Sequence, residues 1–170
     1  MMSEQEANRL VETYSDLILR ISFTYLKSTY DAEDICQNVF LKYLSAGISF
    51  ENEDYEKAWI IRCTINACKD VLKSAYRNRI LVTDSIWETC PDDEDGSDVR
   101  EAVMNLSQKY RVAIYLYYFE GYSAKEIAKI TGKSENAVAL YLSRGRRQLS
   151  KVLKNYGMER VRYYGKNVEG

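Results

Sequence analysis

The 170-residue chain contains 46% hydrophobic and 29% charged side chains and has a net charge of −1, which is typical of one or two globular domains. No apolar run approaches the roughly 20 residues of a membrane span, and the first residues lack the basic-then-apolar pattern of a secretory signal. We therefore expect a cytoplasmic protein. The chain has no histidine, and its four cysteines lack paired spacing, so we predict reduced thiols, no metal, no cofactor and no enzymatic activity.

The charges are distributed unevenly along the chain. Residues 1–80 have a net charge of −2, residues 81–99 of −7 and residues 100–170 of +8. The acidic stretch includes the only proline, and like charges at this density leave no apolar face to bury. We predict an all-α chain of two small helical domains, residues 1–80 and 99–156, with a flexible acidic linker at 81–98 and a tail at 157–170. An acidic loop within a single domain is the alternative.

Three helices are predicted in the N-terminal domain. The first, about residues 4–27, has apolar residues at helical spacing: Leu10, Tyr14, Leu17, Ile21 and Tyr25. The second begins near Asp31 after a break at residues 28–30, has three acidic residues in its first turn, and ends at Gly47. The third, about residues 55–77, has an apolar stripe that should face the core: Ala58, Ile61, Ile65, Cys68 and Leu72.

The third helix also has a polar stripe. Four cations and one amide recur along one face: Arg62, Asn66, Lys69, Lys73 and Arg77. A line of cations can follow a phosphate backbone. Taken alone, however, the stripe favours an ordinary solvated helix face.

Residues 121–147 predict a helix-turn-helix, packed on a preceding helix at about residues 107–120. Ser123 and Glu126 have the spacing of a capping box, residues 131–133 supply a turn with a glycine, and Ser134 is a candidate N-cap of the second helix. In this motif the second helix normally lies in the DNA major groove. The pattern therefore predicts DNA binding.

The second helix of the motif has two faces when residues are placed 100° apart. Its predicted core face contains Val138, Leu142, Gly145 and Leu149. The opposite face contains the candidate DNA-contacting residues: Asn136, Leu140, Ser143, Arg144 and Arg147. An asparagine suits adenine and an arginine suits guanine or phosphate, whereas a leucine suits a thymine methyl group or a protein partner.

Three motifs together resemble the bacterial sigma-70 family. Residues 31–41 resemble the acidic helix of its second region, and residues 58–70 resemble the next helix of that region. Residues 106–111 and 119–128 resemble its fourth region. The compact layout is similar to that of the extracytoplasmic-function subgroup. Recognition helices of that subgroup usually contain Thr-Val-Lys-Ser-Arg-Leu, whereas residues 137–142 are Ala-Val-Ala-Leu-Tyr-Leu.

The resemblance implies a sigma factor that binds core RNA polymerase and directs promoter-specific initiation. The residues that would dock on the polymerase are Asp34, Gln37, Asn38 and Leu41. The loop at 45–54 and the polar stripe from Arg62 to Arg77 would engage and help to open the −10 element, and the recognition helix would read the −35 element. The resemblance also implies an anti-sigma factor as a partner, without membrane insertion or a small-molecule substrate.

Two alternatives remain open from the sequence. The same helices fit a stand-alone helix-turn-helix regulator that binds duplex DNA without polymerase. Leu140 and Tyr141 on the altered helix also fit a sigma-like adaptor that binds only proteins.

Overall fold

A computed structural model describes residues 2–78 and 97–155, with side chains described for residues 2–74 and 99–152. The chain divides into two compact units, Met1–Glu88 and Thr89–Gly170. The predicted linker lies almost entirely outside the described residues, as do the predicted tail and Cys90. Every regular element within the described ranges is helical. None of these helices is long and apolar enough to cross a membrane.

The described part of the N-terminal unit contains three helices that all contact one another: α1 (Glu4–Leu26), α2 (Thr29–Ala46) and α3 (Glu53–Asn78). The five apolar residues predicted to recur along α1 are all buried. On α3 the middle of the predicted stripe is buried, whereas Ala58 and Leu72 at its ends are half-buried. The core therefore forms where these apolar stripes meet.

The ends of α2 follow from local hydrogen bonding. The Ser28 side chain accepts a hydrogen bond from the Asp31 N–H (3.2 Å), so the helix begins at Thr29. This is two residues earlier than predicted, and of the three acidic residues expected in the first turn only Asp31 lies there. Gly47 ends the helix as predicted, with a φ of 60° that glycine adopts without steric cost.

The described part of the C-terminal unit contains α4 (Ser97–Met104), α5 (Gln108–Ile114), a π-helical turn (Tyr115–Phe119), α6 (Ala124–Thr131) and α7 (Glu135–Asn155). The single helix predicted at residues 107–120 therefore changes its winding after Ile114. In the π-helical turn the Glu120 N–H donates to the Tyr115 carbonyl at 3.3 Å, five residues earlier.

The sequence did not predict α4, which adjoins the acidic stretch and buries Ala102, Val103 and Met104.

Buried Arg111 connects α4 to α5. Its guanidinium donates hydrogen bonds to the carbonyls of Met104 (3.4 Å) and Leu106 (3.0 Å), at the end of α4, where carbonyls have no partner within the helix. Burial lowers the pKa of this guanidinium. The ordinary pKa of arginine is nevertheless so high that the group stays charged in proteins.

One carboxylate connects the three helices of the N-terminal unit. Glu56 of α3 is 5% exposed. It accepts two hydrogen bonds from Arg9 (3.2 and 3.0 Å), one from Tyr14 (2.7 Å) and one from Tyr43 of α2 (2.6 Å). Burial is the largest single influence and acts to raise the pKa of Glu56, but the hydrogen bonds from Arg9, Tyr43 and Tyr14 together lower it to about 2. The carboxylate is therefore ionised in the folded unit.

Glu56→Gln is expected to lower the free energy of unfolding of this unit by about 2–3 kcal/mol at pH 7, because Arg9 loses its counter-charge and two tyrosines lose a charged acceptor. The pKa falls from 4.5 to about 2 on folding. The carboxylate therefore contributes its full stability above pH 4.5 and loses it as the pH falls towards the folded value. The difference between variant and wild type should shrink between pH 7 and pH 3.5.

The measurement is denaturant unfolding combined with hydrogen exchange of the α1–α3 amides. Glu53→Gln removes an exposed carboxylate from the same helix and serves as the matched control. A stability difference for Glu56→Gln that is independent of pH would contradict the lowered pKa.

Gly145 allows α7 to approach α5 closely. A Cβ atom at this position would lie 2.9 Å from Cγ1 and 3.2 Å from Cδ1 of buried Ile114, and 3.5 Å from Cβ of Tyr110. The first distance is too short for two carbon atoms in contact, and the second is tighter than most such contacts, so Ile114 would have to move. The absence of a side chain at residue 145 therefore sets the separation of the two helices.

Gly145→Ala is expected to destabilise the C-terminal unit by about 1 kcal/mol, because overpacking costs about 1–3 kcal/mol and outweighs a gain of about 1 kcal/mol in helix propensity. The measurement is denaturant unfolding with hydrogen exchange of the α5 and α7 amides. Gln148→Ala, at an exposed position of α7, should leave stability nearly unchanged. A stabilising effect of Gly145→Ala would show that Ile114 moves aside freely.

Candidate nucleic-acid interface

The predicted helix-turn-helix is confirmed as α6, a turn and α7. Ser123 and Glu126 form a reciprocal capping box, with the Ser123 N–H donating to the Glu126 carboxylate (2.9 Å) and the Glu126 N–H to the Ser123 hydroxyl (3.2 Å). Gly132, with a φ of 69°, ends α6. The Ser134 hydroxyl accepts a hydrogen bond from the Ala137 N–H (3.1 Å) and caps α7 as predicted. The turn is thus fixed by hydrogen bonds on both sides.

The two faces of α7 separate as the spacing predicts. All four residues of its predicted core face are buried, and all five candidate DNA-contacting residues are exposed. Leu140 is 44% exposed. Among the described residues, Arg144 and Arg147 have no hydrogen-bond or ion-pair partner, so their charges are available to an external anion.

The polar stripe of α3 is exposed over most of its length. Arg62, Asn66 and Lys73 are exposed and Lys69 is half-buried, whereas the side chain of Arg77 lies outside the described part of the chain. Lys42 of α2, which the sequence did not indicate, is also exposed.

Lys42 lies close enough to the Cys63 thiol to influence its pKa. Burial raises the pKa of Cys63, and the positive charges of Lys42 and Arg62 both oppose that rise. Two cations from different helices therefore lie close to the same buried group. The basic surface of the N-terminal unit extends from α3 onto α2.

An aromatic cluster holds the loop between α2 and α3. Ring centroids of Tyr43 and Phe50 lie 5.9 Å apart, those of Tyr43 and Trp59 5.6 Å, and those of Phe50 and Trp59 5.9 Å. A cavity of about 530 Å³ opens beside this cluster and is also lined by Arg9 and Glu56. The loop and the Arg9–Glu56 ion pair therefore line the same concave surface.

The outer face of α2 exposes all four residues predicted to dock on a polymerase. Leu41 is 63% exposed, and the nearby Leu44 is 50% exposed. The Asn38 amide donates to the Asp34 carboxylate at 3.4 Å, one helical turn away. Since Ala32, Ile35 and Val39 form the buried face, this outer face is not needed for the fold.

Three of the four cysteines fall within the described ranges and are free. Cys63 and Cys68 are buried and Cys36 is half-buried. Burial raises the pKa of each thiol, that of Cys68 to about 12. These thiols therefore remain protonated and unreactive near neutral pH.

Family models match both units. The model for Sigma-70 region 2 matches residues 10–78, and the model for Sigma-70, region 4 matches residues 97–149. The first match covers α1–α3 and the second covers α4 to most of α7. A stand-alone helix-turn-helix regulator does not account for the match to region 2.

Several curated proteins are similar over most of the chain. RNA polymerase sigma factor SigV of Bacillus subtilis is 32% identical over 128 residues, covering 74% of this chain and 77% of SigV. The ECF RNA polymerase sigma factor SigX of the same species is 29% identical, covering 89% of this chain and 85% of SigX. SigE of Mycolicibacterium smegmatis is 25% identical, covering 89% of this chain and 63% of SigE.

Two solved structures share the fold. The sigma factor RpoE in complex with the anti-sigma factor NepR, from Bartonella quintana, has a TM-score of 0.72 and 22% identity, covering 88% of this chain and 98% of that chain. CnrH in complex with the cytosolic domain of CnrY has a TM-score of 0.62 and 21% identity, covering 90% of each chain. With both regions matched in order and a relative 32% identical over three quarters of its length, the chain belongs to the sigma-70 family of RNA polymerase sigma factors, in the extracytoplasmic-function subgroup.

Proposed function

We propose that this sigma factor docks on core RNA polymerase through the outer face of α2, engages the −10 element through α3 and the adjoining loop, and reads the −35 element through α7. Its function is to direct promoter-specific transcription initiation. One observation supports the residue assignments most directly. The contact residues expected on α2, α3 and α7 lie on faces that the two helical cores do not use, with only Lys69 half-buried among those described.

The outer face of α2 has the chemistry of a protein-binding surface. It presents a carboxylate, two amides and a largely exposed leucine within two helical turns. Polar groups of this kind fix orientation, while burial of a leucine contributes about 1.5–3 kcal/mol. Leu41 would therefore supply the apolar contact. Asp34, Gln37 and Asn38 would fix the register of α2 on the polymerase.

The α3 surface has the chemistry of a single-strand binding surface. Arg62, Lys73 and Lys42 place positive charge along it, and Phe50 and Trp59 lie in or beside the adjoining loop, half-buried. Proteins that hold single-stranded DNA combine such cations with aromatic rings on which bases stack. The arrangement suits a promoter segment that is being opened.

The exposed face of α7 suits recognition of duplex DNA. Asn136, near the N-terminus of the helix, would reach base edges, and Arg144 and Arg147 would contact guanine or phosphate. Leu140 would meet a thymine methyl group. Asn136, Ser143, Arg144 and Arg147 are the hydrogen-bonding members of this candidate set, and Leu140 is expected to add an apolar part to the sequence preference.

We further propose that an anti-sigma factor holds this protein inactive, since both similar solved structures are complexes of a sigma factor with such a partner or with a cytosolic domain. The site of action would be the cytoplasm, where core polymerase meets its template. Catalysis would rest with the polymerase, and no metal or cofactor of its own is expected.

Run-off transcription tests the proposed function. The purified protein is added to cognate core enzyme with genomic DNA of the source organism as template, and the transcript ends are mapped. The expected result is a set of transcripts that share −35 and −10 elements and depend on the added protein. Absence of both core binding and promoter-dependent transcripts would disprove it.

Arg62→Ala combined with Asn66→Ala is expected to reduce open-complex formation at a mapped promoter by about tenfold or more, because contacts between charged groups and DNA contribute about 1.5–3 kcal/mol each. Permanganate footprinting of the holoenzyme measures the opening. Core binding should remain unchanged, since neither residue lies on α2. The matched control is Arg20→Ala, an exposed arginine of α1. Equal opening by the double variant and the control would refute the α3 assignment.

Arg144→Ala combined with Arg147→Ala is expected to weaken holoenzyme binding to a mapped promoter by at least about tenfold. The loss should disappear on a shortened template whose upstream end lies downstream of the −35 element, because this template lacks the −35 duplex. A filter-binding comparison of the two templates measures this. A loss that persists on the shortened template would place the two arginines away from the −35 element.

A further inference from the structure

Arg146 is held at one edge of α7 by two tyrosines of the π-helical turn. Its guanidinium donates a hydrogen bond to the Tyr118 hydroxyl at 3.2 Å and lies 6.0 Å from the ring centroid of Tyr117. The two rings pack edge to face, with centroids 4.9 Å apart. Both tyrosines are half-buried and Arg146 is exposed. The cation is therefore oriented by neutral groups that leave its charge intact.

Lys109 is held in a similar way at another edge of α7. Its ammonium lies 5.3 Å from the ring centroid of Tyr110 and 5.6 Å from that of Tyr141, and the two rings are 5.9 Å apart. Tyr110 is buried, Tyr141 is half-buried and Lys109 is exposed. Although Lys109 belongs to α5, its contact with Tyr141 brings the cation to the recognition helix.

The two cations lie on opposite sides of the exposed face of α7. With 100° per residue, Tyr141 lies about 120° to one side of Arg147, at the centre of that face, and Arg146 lies about 100° to the other side. No carboxylate among the described residues forms an ion pair with either cation. An oriented positive charge is thus available at each edge of the recognition helix.

We propose that Lys109 and Arg146 contact the phosphates that border the −35 major groove, one on each strand. The major groove is about 12 Å wide and a helix with its side chains is about 10–12 Å in diameter, so cations at opposite edges of an inserted helix face opposite groove walls. Contact with aromatic rings stabilises each cation in place and reduces the rotamer freedom lost on binding. The π-helical turn has a function in this arrangement, because it supplies both tyrosines that orient Arg146.

This inference rests on the proposed function, and salt dependence tests it. Holoenzyme affinity for a mapped promoter is measured between 50 and 300 mM salt for Lys109→Gln and Arg146→Gln, which remove the charge but keep a polar side chain. Each variant should reduce the slope of log affinity against log salt by about 1, the signature of one lost phosphate contact. This reduction of the slope should be equal on promoters with intact and with substituted −35 bases. It should be absent on a template without the −35 duplex.

The variant Tyr118→Phe tests the orientation of Arg146 without changing the charge of Arg146. It removes one hydrogen bond from Arg146 but leaves the cation and both rings, so affinity should fall a few-fold while the salt slope stays at the wild-type value. Arg20→Ala is the control for the loss of one positive charge elsewhere and should change neither quantity.

Unchanged salt slopes for both Lys109→Gln and Arg146→Gln would overturn the inference. If the Arg144 and Arg147 double variant still lost binding in the same assay, the proposed −35 contact of α7 would stand without the flanking phosphate contacts. If the double variant also bound normally and run-off gave no promoter-dependent transcript, the proposed function itself would fail.

Discussion

The N-terminal unit depends on the burial of one carboxylate. An isolated buried carboxylate is unfavourable by several kcal/mol, so Glu56 is tolerated only because Arg9, Tyr14 and Tyr43 all donate to it. Those donors come from two other helices, and their geometry fixes how α1 and α2 lie against α3. The surface proposed to bind polymerase is on α2, and the surface proposed to engage the −10 element is on α3 and the loop beside Tyr43. The ion pair therefore fixes the two surfaces relative to each other.

In the C-terminal unit, close packing of α7 against α5 sets the position of the recognition helix. α7 packs against α5 at the distance that Gly145 permits, with Ile114 in the space that a side chain would occupy. Arg111 then binds the carbonyls at the end of α4. The orientation of the recognition helix is thus set from its buried side. Its exposed side is not constrained by packing, and residues 139–141 there differ from the sequence usual in the subgroup.

The sequence predicted features that depend on neighbouring residues and missed features that depend on distant ones. Apolar spacing identified α1, α2, α3 and the buried face of α7, because a helix repeats its buried face every three or four residues. Capping residues located the helix-turn-helix, since Ser123 and Glu126 are close in sequence. The π-helical turn has no comparable local signal. Lys42 and Lys109 were missed because each joins its surface from a different helix. Among the residues proposed to contact DNA and polymerase whose side chains are described, all but half-buried Lys69 are exposed, but exposure does not identify what they bind.

The ionisation of Glu56 has a consequence for how this protein senses its surroundings. Its pKa of about 2 keeps the carboxylate charged throughout the physiological range, and the chain has no histidine, the side chain that ordinarily titrates between pH 5 and 8. Burial also keeps the Cys63 and Cys68 thiols protonated, away from the thiolate form that oxidants attack. Acid or oxidative stress therefore has few such side chains to act on within residues 2–74.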